Sequence, residues 1–369
     1  MSSQMSDLLY SDTEDAVRDS VRRLFADRCP PESVMSVYDP APHDFSAVWH
    51  ALAADLGMAG LLVPEQLGGA GASAREAAVV MEEIGRAVAP VPFLSSAVLA
   101  TVALLEAGDT ETVKGLAAGS TTAALAVPLS TAPDDAIAPV SVSGDGLTGR
   151  VSSVAGASEA DVLVVPAAGP DGLELHTVSR EAAGLKVSPV LALDMTRPLA
   201  NLEFSATASS RVDTGSAEAA VRAALGTGAV LLASEQLGIA QWCFDTTLAY
   251  AKQRKQFGRA IGSYQSIKHR LADLWIEVNS AAPAARYAAD TCARRDGDAP
   301  IAAAVAQAYC SGAAVHAAEE CVQLHGGIGM TWEYPAHLYL KRAKSDQLAF
   351  GTAYRHRTRL AELVDLPMS

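Results

Sequence analysis

Residues 253–270, QRKQFGRAIGSYQSIKHR, contain Arg254, Lys255, Arg259, Lys268 and Arg270 and no acid, in a chain whose formal net charge is −14. A basic run in an acidic protein is either a solvated helix end or a place where an anion binds. Arg254 offers a planar, permanently charged fork that matches phosphate oxygens two at a time. Gln256 and Gln265 supply neutral amides for phosphate, ribose or base edges, and Phe257 supplies an apolar wall. A second stretch, QLHGG (Gln323, Leu324, His325, Gly326, Gly327), pairs two glycines, over which a ligand can approach the backbone closely. His325 reads as a packed or backbone-bonded side chain, and no Cys/His spacing suggests a metal site.

These residues need a scaffold, and the bulk composition limits what it can be. The chain has 369 residues, enough for two or three cores, since single cores rarely pass roughly 250–300 residues. Half of it is hydrophobic and little is aromatic, which suits helices packed through small side chains. Acids outnumber bases 42 to 28, which argues against nucleic acid or a membrane surface as partner. The cysteines at 29, 243, 292, 310 and 321 are odd in number and lack a CxxC, as expected of buried thiols in a reducing cytoplasm. The N-terminus, MSSQMSDLLYSDTEDAVRDS, is too acidic and polar for a signal peptide. No apolar run reaches about 20 residues without a polar or glycine interruption, so no membrane span is expected.

Helical periodicity marks 11–27, FSAVWHALAADLG, AREAAVVMEEIGRAVA and SSAVLATVALLEAG. From about 120 the texture turns to short β-prone runs cut by Gly, Pro and Asp-Gly turns, and this continues to about 210. Long Ala/Leu-rich helices are expected at 216–252, 263–295, 299–324 and 335–365, in the pattern of an antiparallel bundle. The expected order is a helical domain (1–118), a compact antiparallel β domain (119–215) and a helical bundle (216–369).

That order, with VWHALAADLGMAGLLVPEQLGGAG, RKQFGRAIGSYQ and CVQLHGGIGMTWEYPAHLYLKRAK, resembles the acyl-CoA dehydrogenase family over nearly the whole chain. The resemblance implies a mostly helical α+β fold with a middle β-barrel or sandwich and a C-terminal four-helix bundle. It also implies FAD as cofactor. In the family, the Arg254, Gln256, Phe257 and Gln265 segment and the Gln323, Leu324, Gly326 and Gly327 segment reach across a subunit interface. There they meet the ADP half of an FAD held mainly by the neighbour.

The family's base, however, has no counterpart here. Its usual element aligns with KRAKSDQLAFGT, which puts Phe350 at the base position and leaves the Gly351–Thr352 pair intact. The second family position for the base, 26 residues before Arg254, is Gly228, and its usual cationic neighbour is Ala229. Glu235 and Asp346 are weak substitutes and read as ordinary surface or interface acids. The loop that would hold the flavin ring is reduced to VPLSTAPDDAIAPV, and GRVSSVAGA places Val151, Ser153 and Ala155 where the family has Lys, Trp and Thr. Thr352 then belongs to a degraded flavin site.

Such a pattern resembles the non-base subunit of heteromeric α2β2 acyl-CoA dehydrogenases of steroid side-chain degradation, with the acyl-CoA bound mainly by a homologous partner. Two alternatives are a homotetrameric enzyme with a displaced base, and a scaffold that binds neither flavin nor CoA.

Overall fold

The computed structural model describes residues 8–42, 44–137, 140–144, 146–212 and 215–366. Positions 138 and 139 of the VPLSTAPDDAIAPV stretch therefore lie outside the described residues, as do the first seven of the chain. Helix α1 (Asp12–Arg28) opens on a capping box: Glu14 N–H donates to the Ser11 hydroxyl at 3.2 Å, and Ser11 N–H donates to the Glu14 carboxylate at 2.8 Å. Short helices α2 (Pro31–Met35) and α3 (Ser46–His50) follow, the latter widening into a π-turn at Ala51–Asp55. Helix α4 (Ala74–Ala87) starts on a second capping box, built from Ser73 and Glu76. A π-helical stretch, Phe93–Ala100, leads into α5 (Thr101–Ala107), and α6 (Glu111–Ala117) follows.

The middle region forms one sheet from β1 (Ala123–Leu125), β2 (Val140–Ser143), β3 (Gly146–Ala155), β4 (Val162–Gly169), β5 (Gly172–Ser179), β6 (Leu185–Val190), β7 (Leu199–Thr207) and β8 (Ser210–Arg211). The strand order is β6-β7-β3-β2-β4-β5-β8, with β1 also paired to β4. This sheet is mixed where an antiparallel one was expected. β1 pairs in parallel with β4 at Ala123↔Val162, and β2 does so further along at Val140↔Ala167. One length of chain thus runs beside β4 and leaves the sheet between its two contacts. The residues that leave include Leu129, which matters below.

The bundle comprises α7 (Ala217–Gln253), α8 (Gln265–Ala293), α9 (Ala299–His325), α10 (Ala336–Asp346) and α11 (Ala353–Leu363). The helix expected over 335–365 is two helices. Phe350 and Gly351 take positive φ of 54° and 95°, which ends one and redirects the other. By length and composition, α7 and the helical span 299–330 could cross a bilayer, contrary to the sequence expectation. Their most apolar windows are 83% and 61% buried inside the fold, as in the core helices of a bundle. α4 and α7 cross at reciprocal glycines: a Cβ on Gly85 would lie 2.1 Å from the Glu235 carbonyl oxygen, and one on Gly238 would lie 2.0 Å from that of Glu82. One core runs through the N-terminal helices and the bundle, a second lies within the sheet, and a small third holds Ala251, Leu271 and Leu324. Four cysteines are buried thiols as expected, and Cys292 is half-buried.

Candidate functional site

The basic run forms the exposed end of α7 and a tight hairpin. Arg254 N–H donates to the Tyr250 carbonyl at 2.8 Å, which ends the helix. Strands β9 (Lys255–Gln256) and β10 (Arg259–Ala260) then pair, with Phe257 and Gly258 as the two-residue tip. Both tip residues have positive φ, 51° and 78°, the geometry that matches the twist of a two-residue hairpin. A left-handed Phe is strained, and Phe257 is also 93% exposed, so the free chain gains nothing from its ring. Arg270 pairs with Glu320 at 2.5 Å, and Arg259 stacks on Tyr264 at 3.8 Å. Arg254 has no ion-pair partner among the described residues, and Gln256 and Gln265 are exposed beside it.

At the end of α9, Gln323, Gly326 and Gly327 are exposed. Gly326 has φ 63° and ψ −137°, a backbone region that side chains forbid. A Cβ on Gly327 would meet nothing of this chain within 4 Å, so the space above its backbone is open. Leu324 faces the other way, into the small core with Ala251 and Leu271. These two segments, which the resemblance assigns to an ADP moiety, present cation, amides, ring and bare backbone outward. They fit such a ligand.

The base positions behave differently. Gly228 on α7 and Phe350 after α10 are far apart in sequence but touch in space. A Cβ on Gly228 would lie 2.9 Å from Phe350 Cζ and 2.6 Å from Leu99 Cδ2. Both family locations for the base therefore converge on one point, and a phenyl ring that is 1% exposed fills it. Ala229, the position of the missing cation, instead lines a cavity of 570 Å³ with Arg222, Arg355 and Arg359.

The cleft expected to hold a flavin ring is bridged by Leu129, beside a cavity of 360 Å³ lined by Val127, Ser130, Thr131 and Ile137. Leu129 N–H donates to the Ser153 carbonyl at 3.0 Å, and Phe350 N–H donates to the Leu129 carbonyl at 2.9 Å. Ala132 Cβ would lie 3.1 Å from a Cβ on Gly351. Ser153 sits at a bulge in β3 with φ 54°, and its N–H is taken by Asn201 Oδ1 at 3.0 Å. Thr352 caps α11, its hydroxyl accepting from Arg355 N–H at 3.3 Å, which gives the intact Gly-Thr pair a structural use. These residues do not fit an isoalloxazine. The Leu129 bridge was invisible in the sequence, because nothing about a leucine in a loop announces which backbone groups it will meet.

Glu235 and Asp346 are not surface acids; both are 0% exposed. Arg197 donates to Glu235 Oε2 and to Asp346 Oδ1, each at 2.5 Å. Arg342 donates to Glu235 Oε1, to Asp194 Oδ2 at 2.7 Å and to the Thr196 hydroxyl. Three carboxylates thus share two guanidiniums, and Asp346 Oδ2 has no hydrogen-bond partner among the described residues. Burial and then the charge of Glu235 push the Asp346 carboxyl up to about 7, although Arg197 and Arg342 pull it the other way. The cluster ties the loop after β6 to α7 and α10, so its acids are structural, contrary to the sequence expectation.

Comparison with known proteins places this architecture. Residues 11–116 match the acyl-CoA dehydrogenase N-terminal domain, and residues 218–364 match the acyl-CoA dehydrogenase C-terminal domain. The chain is 37% identical over 329 residues to the acyl-CoA dehydrogenase IpdE2 of Mycobacterium tuberculosis, covering 89% of each. Its backbone is similar to a chain of the ChsE4–ChsE5 complex of Mycobacterium tuberculosis, with TM-score 0.86, 26% identity and coverage of 99% and 100%. It is also similar to a chain of a Tcur3481–Tcur3483 steroid ACAD variant, with TM-score 0.83, 30% identity and coverage of 96% and 98%. The chain belongs to the acyl-CoA dehydrogenase family of flavoprotein oxidoreductases.

Proposed function

We propose that this chain is the non-base subunit of an α2β2 acyl-CoA dehydrogenase. A homologous partner carries the base and the flavin ring and binds most of the acyl-CoA thioester, which is desaturated between its α and β carbons. FAD, when bound, supplies the hydride acceptor. Arg254 neutralises and orients its pyrophosphate, Gln256, Gln265 and Gln323 bond its polar edges, Phe257 covers it, and Gly326 and Gly327 let it lie against backbone. The observation that carries this reading is the contact between Phe350 and Gly228, with Phe350 N–H already bonded to Leu129. That place offers neither a carboxylate nor a free N–H to a thioester, while Arg254, Gln256, Phe257, Gln265 and the Gly326–Gly327 backbone remain exposed. The two-component make-up of ChsE4–ChsE5 and Tcur3481–Tcur3483 supports a heteromeric assembly, and the latter's description as a steroid ACAD supports a steroid-derived acyl group.

A homotetramer using Glu235 or Asp346 as its base has less support. A carboxyl near 7 is suited to proton abstraction, but both acids are sealed under Arg197 and Arg342, away from any substrate. A scaffold that binds no cofactor would have little use for a strained, exposed Phe257. The test is a flavin count on the complex copurified with its partner. Two FAD per tetramer are expected; four would mean that the cleft at Leu129 opens and holds a ring.

A further inference from the structure

We infer that Tyr250, His325 and Tyr334 form a positioning array that fixes the two ADP-contact segments relative to one another. This rests on the reading of 254–257 and 323–327 as one platform for the ADP half of FAD.

The array begins with a histidine whose hydrogen bonds place a proton on Nδ1. His325 is 2% exposed, and its Nδ1 lies 2.6 Å from the Cys321 carbonyl oxygen. A carbonyl can only accept, so Nδ1 carries the proton. Nε2 lies 2.6 Å from the Tyr334 hydroxyl, accepting from it when the ring is neutral and donating to it when the ring is protonated, so the pair is bonded in either state. The imidazole also packs against both phenols, with ring centroids 4.3 Å from Tyr250 and 4.5 Å from Tyr334. Tyr334 lies beyond the glycine turn Gly326–Met330, so the His325–Tyr334 bond pins the two ends of the loop that carries Gly326 and Gly327.

Tyr250 joins this loop to the other segment. Its hydroxyl donates to the His325 carbonyl at 3.4 Å, immediately before Gly326. Its own carbonyl accepts the Arg254 N–H at 2.8 Å, which sets the direction in which Arg254 leaves α7. One residue therefore holds the arginine by its backbone and the glycine loop by its side chain. Below them, Ala251, Leu271 and Leu324 pack as a small separate core, with Ile261, just after the hairpin, against it. The platform thus has its own support, distinct from the sheet and the main bundle core. Arg254 and Gly327 have to meet one ligand together, and misplacement by about 1 Å is enough to weaken such joint contacts.

The test measures FAD affinity of the apo-complex with its partner, using Tyr250→Phe, Tyr334→Phe, Arg254→Ala and the double variant Tyr250→Phe/Arg254→Ala. Tyr250→Phe keeps the ring and removes only the hydroxyl, so the tetramer should assemble and melt as the wild type does. Its FAD Kd is expected to rise about 3- to 10-fold, the scale of one lost hydrogen bond. Arg254→Ala alone should raise Kd at least about tenfold. In that background Tyr250→Phe should add less than about twofold, because the glycine loop that its hydroxyl holds no longer has an Arg254 contact to stay in register with. Full additivity of the two changes would overturn the array, as would an unchanged Kd in both Tyr250→Phe and Tyr334→Phe beside a weakened Arg254→Ala. If Arg254→Ala itself leaves Kd unchanged, the ADP platform is wrong, and the array falls with it.

Discussion

Asp346→Asn removes the one charge that the buried cluster cannot neutralise. In the wild type the carboxyl titrates at about 7 in the fold, against 3.8 when unperturbed. The folded value is raised, so the fold prefers the protonated form. The stability linked to this group is whole below pH 3.8 and is lost as pH climbs through 7. A gap of about three pKa units corresponds to roughly 4 kcal/mol on complete ionisation. About half of that, ~2 kcal/mol, should be lost between about pH 5.5 and 8.5, because only the last 1.5 or so units of the gap fall in that window. Asparagine does not titrate, and its Oδ1 can keep the bond from Arg197. The difference in unfolding free energy, variant minus wild type, should therefore move in the variant's favour by ~2 kcal/mol across that range. Urea unfolding of both proteins at several pH values reads it directly, and titrating groups outside the cluster cancel in the difference. A difference that stays constant within about 0.5 kcal/mol would refute the assignment of the surplus charge to Asp346. Turnover of the complex should stay within about threefold, since Asp346 is not proposed to move a proton; a loss of two orders of magnitude would make it a base.

Phe350→Glu should not make this chain alone reduce flavin with any acyl-CoA, even with FAD in excess, because the Leu129 bridge and Ser153 leave no place for the ring; flavin bleaching under anaerobic conditions is the readout. Phe257→Ser should leave the melting temperature of the isolated chain unchanged, since that ring is 93% exposed, while raising the FAD Kd of the complex. A drop in the stability of the isolated chain would show that Phe257 has a partner within it.

Much of the scaffold could be read from the chain because its signals are local. Ser11 with Glu14 and Ser73 with Glu76 are capping boxes written three residues apart, and the Ala-rich periodicity of α7 to α9 reports burial directly. What failed was non-local. Strand alternation says which face is buried but not which way a neighbour runs, so the parallel pairings of β1 and β2 with β4 were missed. Leu348, Ala349 and Phe350 continue an apolar pattern into the break before α11, and only a positive φ at Phe350 reveals the turn. Glu235 looked like a surface acid because its partners, Arg197 and Arg342, lie 38 and 107 residues away. The platform motifs were legible for the opposite reason: each is a short run of unusual residue types that the fold leaves outside.

The bridged cleft has an energetic consequence for how the two subunits would depend on FAD. A ligand stabilises the folded state that binds it, by an amount that grows with concentration over Kd. A subunit that holds a flavin ring has a cleft that is incomplete without it. This chain instead fills the base position with Phe350 and joins Leu129 to both walls of the cleft, so its own backbone ties the two sides together. Its unmet needs lie on the surface, in the left-handed Phe257 and an Arg254 with no ion-pair partner. On the proposed function, both would be relieved when a cofactor and a second subunit cover them. Loss of FAD should therefore weaken the interface and the partner while leaving this chain folded, which makes the bridge at Leu129 part of what permits the division of labour.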